Sequence, residues 1–339
     1  MLERRYIRGI TTAFIFCIFV HTVVAAAGAA TRTWSGGGAD DLASNAANWT
    51  GSISPQTGDA VVFNSTSSNN CTWDLNITLS SFNINPGYTG TVIIDAGLTI
   101  DNGFTWTGEG GDTLASNPAN WSGGVVPQDG DNIEFDGVND CLWDLDISPD
   151  SLTMSTGFTG TVTLITNLSI NGDLSIEGGF LNLNDKALIA DGHLSIGLNG
   201  TLYAASSTVQ IKGDWINRGD FISGTSTVAL IGTNQTVFGD NIFYNLVKTS
   251  GSDDTIYFEA GTTQTILNNL TLKGTAGDLL LLRSTVNESL WSINPGSTRN
   301  ISYADIRDMK NINQQGIAAD NAHDSGNNRN VYFDIDQCL

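Results

Sequence analysis

Leu168-Ser-Ile170, Leu174-Ser-Ile176, Phe180-Leu-Asn-Leu183, Ala187-Leu-Ile189, Leu194-Ser-Ile196, Thr208-Val-Gln-Ile211 and Thr227-Val-Ala-Leu230 follow one another in this chain. Most of these runs alternate apolar with polar or small residues, the period of two that sends successive side chains to opposite faces of a strand. Between the runs stand Asn171-Gly172, Gly178-Gly179, Asp191-Gly192, Asn199-Gly200 and Gly213-Asp214. These are turn pairs, because Gly and Asn accept a positive φ. No window carries the i, i+3, i+4, i+7 apolar pattern of a helix. Strands this short are not stable as isolated hairpins, so a long series of them must form either a sandwich or a solenoid whose coils stack. Asn- and Gly-rich turns, with only 6 Pro in 339 residues, favour the solenoid. The expected fold is all-β, a right-handed parallel β-helix, with β-sandwich modules as the alternative.

Toward the N-terminus the texture becomes a tandem repeat. Trp34-Ser-Gly-Gly-Gly-Ala-Asp40, Leu42-Ala-Ser-Asn45 and Ala47-Asn48-Trp49 return as Trp106-Thr-Gly-Glu-Gly-Gly-Asp112, Leu114-Ala-Ser-Asn117 and Ala119-Asn120-Trp121. After a two-residue deletion, Cys71-Thr-Trp73-Asp74-Leu75 matches Cys141-Leu-Trp143-Asp144-Leu145, and Gly87-Tyr-Thr-Gly-Thr-Val92 matches Gly157-Phe-Thr-Gly-Thr-Val162. A repeat of about 70 residues is a structural unit used twice. The expected organisation is therefore a signal peptide at 1–29, repeat modules at 30–104 and 105–166, solenoid coils at 167–275, and C-terminal coils with a cap at 276–339. The first segment is assigned from Arg4, Arg5 and Arg8, the uncharged apolar run from Ile10 to Val24, and the small residues Ala25 to Ala30. Basic start, apolar middle and small-residue end are the parts of a secretory signal peptide. The middle is shorter than the ~20 residues that span a bilayer. Export is expected, to the extracellular space or the cell surface, with no membrane span after the signal is removed.

Charge narrows the function classes. The chain has 35 Asp and Glu against 14 Lys and Arg, for a formal charge of −21, and from Thr33 to Asp185 there are 19 acidic residues and no Lys or Arg. Nucleic-acid affinity comes largely from cations that neutralise phosphates, so DNA and RNA are excluded as expected partners. Of the cysteines, Cys71, Cys141 and Cys338 follow the signal. Were both modules on one solenoid, Cys71 and Cys141 would lie coils apart, beyond disulfide reach, and buried free thiols are expected. Neither a disulfide framework nor a cysteine zinc site fits these spacings.

Several segments resemble a known group of proteins. Gly213-Asp-Trp-Ile-Asn-Arg-Gly-Asp-Phe-Ile-Ser-Gly-Thr-Ser-Thr-Val228, Gly232-Thr-Asn-Gln-Thr-Val237, Phe243-Tyr-Asn-Leu246, Ile301-Ser-Tyr-Ala-Asp-Ile-Arg307 and Asp324-Ser-Gly-Asn-Asn328 are similar to coils of bacterial secreted and cell-surface β-solenoid repeat proteins, the filamentous-haemagglutinin and autotransporter-passenger texture. The resemblance implies a β-solenoid exposed outside the cell, with a structural or adhesive role, no catalysis, and extracellular glycans or other surface proteins as partners. The alternatives are a carbohydrate-active β-helix enzyme, a polysaccharide hydrolase or lyase, and a non-catalytic glycan-binding module.

The candidate chemistry is sparse. A lyase needs a base, commonly Lys or Arg, and residues 33–185 supply neither. Asp144 and Asp146 stand at i and i+2, an acidic pair of the kind glycosidases use, but read more simply as solvated side chains. His193 and His323 are the histidines beyond the signal, and a Ser-His-Asp set arises only if the fold brings one together. Calcium is the one candidate cofactor: Asp129, Asp131, Glu134 and Asp136 place four carboxylates in eight residues without EF-hand spacing. Trp49 and Trp121 are the candidate ligand-binding aromatics, able to stack on sugar rings if exposed; packing within the module is the other reading. The Asn-x-Ser/Thr sequons at Asn48 and Asn120 are read as turn vocabulary.

Overall fold

The computed structural model describes residues 30–79, 81–100 and 103–333. The expected signal peptide at 1–29 and Cys338 lie outside the described residues. Among the described residues every strand ladder is parallel, and antiparallel pairs occur only as isolated bridges such as Trp34↔Trp49 and Trp106↔Trp121. Parallel strands cannot be joined by hairpins, so the sandwich alternative gives way to a β-solenoid of about 12 turns.

Two large sheets form the walls, one of 14 strands and one of 11. Along the first, Leu174, Leu194, Trp215, Val237 and Phe258 are successive partners, one coil of about twenty residues apart. Along the second, Leu168, Leu188, Val209, Val228, Leu246 and Leu270 form the same kind of column. All of these side chains point inward and are fully buried. The alternation read from the sequence is thus the alternation between the interior and the outer face. Stacked aliphatic and aromatic side chains suit this geometry, since β-branched and aromatic residues fit a pleated, half-buried surface.

The first module has sheets of its own. Strands Thr31–Thr33, Ala60–Phe63 and Ser81–Ile84 make a three-stranded sheet, Cys71–Trp73 pairs with Val92–Ile94, and Ile77–Leu79 pairs with Leu98–Ile100. Its core, built on Trp34, Trp49, Phe63, Cys71 and Trp73, is distinct from the long core that starts at Trp106. Among the described residues no strand before Gly103 pairs with one after it.

The repeated Gly-rich segments have a steric basis. Gly36 and Gly108 occupy the same place in the two modules at φ +60° and +63°, and a Cβ there would come within 2.5 Å of the Cβ of Asn69 or Asn139. Both the left-handed backbone and the close approach require glycine.

Candidate functional site

Each module begins with a tryptophan box. The Trp34 and Trp49 rings meet edge to face at 5.1 Å, as do Trp106 and Trp121. Trp49 Nε1 donates to the Ala43 carbonyl at 2.7 Å and Trp121 Nε1 to the Ala115 carbonyl at 2.6 Å. A short 3-10 turn precedes the second tryptophan of each box, capped by Asn45 or Asn117. Asn48 and Asn120 are buried beneath the loop: the Asn48 amide donates to the Leu42 carbonyl at 2.9 Å, and its oxygen accepts from the Gly38 N–H at 2.7 Å. Asp40 and Asp112 complete the loops, and hydrogen bonds from Asn45 and Asn117, then from the Leu42 and Leu114 N–H groups, hold their carboxyls below the ordinary value.

The expected sugar platform is therefore corrected. Trp49 and Trp121 are each 2% exposed, with both ring faces inside the module, and a ring without a free face cannot stack on a sugar. The sequons at Asn48 and Asn120 are likewise turned inward.

The four candidate calcium ligands are not brought together. Asp129 accepts from the Ser148 N–H at 2.7 Å, Asp131 from the Gln128 N–H at 2.7 Å, and Asp136 from the Ser155 hydroxyl at 2.8 Å. Glu134 stands exposed on the outer face of Asn132–Phe135. Burial, opposed by the Gln128 N–H and aided by Asp150, raises the Asp131 carboxyl. Among the described residues no three His, Cys, Asp or Glu side chains are grouped to hold a metal ion.

What the carboxylates do is common to the molecule. Asp173 accepts from the His193 N–H at 2.7 Å, His193 Nδ1 from the Asp214 N–H at 2.9 Å, and Asp214 from the Thr236 N–H at 2.7 Å. Asp140, Asp240 and Glu259 serve Thr161, Thr263 and Gly239 in the same way. Asp144, half of the acidic pair noted in the sequence, accepts from both the N–H and the hydroxyl of Ser116 at 2.7 and 2.5 Å. Where a corner N–H has no carbonyl of the neighbouring coil to donate to, these side chains accept from it.

The fold also brings Ser325, His323 and Asp305 together on the last coils. Ser325 Oγ lies 3.3 Å from His323 Nδ1, and Asp305 Oδ1 lies 3.6 Å from the same nitrogen. A relay needs the serine and the carboxylate on opposite ring nitrogens. Here both address Nδ1, and the His323 side chain is 66% exposed. The carboxyl of Asp305 is pushed up by burial, but Ser325 and Arg283 outweigh this and hold it low.

A corner depression of about 520 Å³ is lined by Asn217, Arg218, Asp240, Glu259 and Thr262. Arg218 bridges both oxygens of Glu259 at 2.7 and 2.8 Å and lies over the Phe238 ring. The guanidinium holds the Glu259 carboxyl below its usual value, opposite to what a general acid needs. Beneath the floor runs a buried amide ladder. Trp215 Nε1 and the Asn217 amide donate to Asn241 Oδ1, and the Asn241 amide donates to Gln264 Oε1 at 2.8 Å.

One group was not singled out in the sequence. Lys248 occupies an inward position between Leu230 and Leu272 in the second sheet, and its side chain is 1% exposed. Its ammonium lies 2.7 Å from Asp254 Oδ2, also 1% exposed, and donates to Gln235 Oε1 at 3.0 Å and to the Gly232 carbonyl. Asp254 Oδ1 accepts from the Asn234 N–H at 2.8 Å. Every donor of the ammonium has a partner, and burial still pulls its pKa below the ordinary lysine value, against Asp254.

No family model matches the chain, and no curated protein or solved structure is similar to it.

Proposed function

We propose that this chain is a secreted or cell-surface β-solenoid with a structural or adhesive role and no catalytic activity. One observation carries the reading: the polar side chains from which an active site would be drawn are engaged in joining one coil to the next. Asp144, Asp173, Asp214, Asp240 and Glu259 each hold a backbone N–H of a neighbouring coil. The outer faces are flat ladders, with Thr153, Ser175 and Ser195 in one column. A scaffold that presents such faces to glycans or to other surface proteins needs rigidity and length, and a stack of parallel coils supplies both.

The deciding experiment passes the purified chain, without residues 1–29, over immobilised polysaccharides and assays the eluate for new reducing ends. Retention without cleavage, or neither, agrees with the proposal. Release of reducing ends would reject it in favour of a carbohydrate-active enzyme.

A further inference from the structure

One outward face of the stack leaves hydrogen-bonding groups unused. Thr161–Leu164, the C-terminal ends of Leu174–Asn182 and Leu194–Tyr203, and Asp220–Ile222 lie side by side as parallel rungs. Val162, Leu181 and Leu202 on these rungs are fully buried, so the residues that flank them point outward. Phe180 stands between Thr161 and Thr201, and Tyr203 between Asn182 and Ile222. The Phe180 and Tyr203 rings lie 6.2 Å apart at an inclination of 30°, each half-buried and partly open to solvent. Ile222 beside them is 47% exposed. The corner carboxylates accept from backbone N–H groups, and so does Asn182 Oδ1, from the Asn184 N–H at 3.0 Å. Among the described residues, by contrast, the hydroxyls of Thr161, Thr163, Thr201 and Tyr203 and the amide nitrogen of Asn182 make no hydrogen bond within the protein.

We infer that this face binds an uncharged polysaccharide, with sugar rings packed on Phe180 and Tyr203 and sugar hydroxyls bonded to the free groups around them. The inference rests on the adhesive reading above and gives it a place on the molecule and a class of ligand. Three observations select that ligand. First, the C–H face of a pyranose ring is apolar and packs against aromatic side chains, and these two rings reach solvent where Trp49 and Trp121 do not. Second, sugar hydroxyls both donate and accept, as do the hydroxyls of threonine and tyrosine, while the asparagine amide nitrogen donates. Rungs ~4.8 Å apart offer a polymer laid across them a fresh set of such groups at each step. Third, of the outward residues on these rungs only Asp220 is ionisable, and no Lys or Arg stands among them to hold a uronate or a sulfate. The formal charge of −21 repels such anions further. A hydroxyl or amide beside each apolar group also sets this face apart from the apolar core of an interface between copies.

The test passes the purified chain over immobilised cellulose, mannan and laminarin, with polygalacturonate and alginate as acidic counterparts. Retention is expected on at least one uncharged polymer and on neither acidic one. Tyr203→Ala should weaken it about tenfold, the effect of losing one aromatic contact. Asn182→Asp keeps the acceptor for the Asn184 N–H but replaces the free donor with a charge, and should weaken retention in a chain that melts as the parent does. Tyr257→Ala removes a tyrosine that is 37% exposed away from these rungs, and should leave retention unchanged.

Retention that survives both Tyr203→Ala and Asn182→Asp would put the ligand elsewhere, overturning the inference and leaving the adhesive reading intact. Retention on the acidic polymers alone, or on no polymer, would overturn it as well. So would self-association abolished by Tyr203→Ala in a chain that no polymer retains, which would make this face a contact between copies. New reducing ends in the eluate would instead reject the reading on which the inference rests.

Discussion

Lys248 shows how little of a buried charge is visible from its own neighbourhood in sequence. The alternation of Leu246, Val247 and Lys248 sends the lysine inward, but the groups that make this tolerable, Asp254, Gln235 and the Gly232 carbonyl, belong to other strands and a corner. Removing one partner of such a pair leaves an uncompensated charge and costs about 3–5 kcal/mol, whereas replacing both with apolar residues is close to neutral. Lys248→Met and Asp254→Leu should each lower the urea midpoint strongly, and the double variant should recover most of the loss. The tryptophan boxes admit an equally direct check. Trp121→Ala should cost about 3–5 kcal/mol, as expected for a buried aromatic, and leave polysaccharide retention of the folded chain unchanged. The sequence made these rings conspicuous without deciding between packing and a platform, because flanking Gly and Asn serve both; the hydrogen bond from Trp121 to the Ala115 carbonyl comes from a loop closure that no local pattern encodes.

At the scale of strands and turns, the period of two placed the strands between Leu168 and Leu230, and the Asn-Gly and Gly-Asp pairs marked their corners. The calcium reading failed for a reason of the same scale. Four carboxylates close in sequence were dispersed by a turn and a strand, Asp129 and Asp131 before it, Glu134 on its outer face and Asp136 beyond its end. Their density reflects a demand for acceptors at the corners. This gives a pH dependence of definite sign. Hydrogen bonds from Asn45, Asn117 and the Ser206 side chain hold the carboxyls of Asp40, Asp112 and Asp185 below their ordinary value. The unfolded chain then binds more protons between the two values, so their contribution is complete above about pH 4 and lost as pH falls through the depressed values. Thermal melting from pH 7 down to 3 should show a falling midpoint, and Asp40→Asn/Asp112→Asn should flatten the decline.

Across the whole molecule, the two matched cysteines lie in different cores and neither is bridged. Burial, with Asp41 and Asp74 nearby, pushes the Cys71 thiol up to about 12, and burial raises Cys141 as well. Since the thiolate is the reactive form, a thiol reagent should leave both unlabelled in the native chain at neutral pH and label both in denaturant, as read by peptide mapping. The 70-residue repeat was legible because its tryptophans, glycines and prolines recur at fixed spacing. The split of the core at the module boundary was not, since the repeat alone describes coils and says nothing of which edges meet.

A stack of nearly interchangeable coils has a translational symmetry that an aliphatic interior does nothing to break: shift one wall by a single coil and leucine again meets leucine or valine. The buried amides of Asn217, Asn241 and Gln264 break it, and so does Lys248. Set one coil further along the facing wall, its ammonium would meet Leu280 at the place that Asp254 holds. The buried pair thus serves as an index mark that numbers the coils, and it ties the two walls together at a single setting.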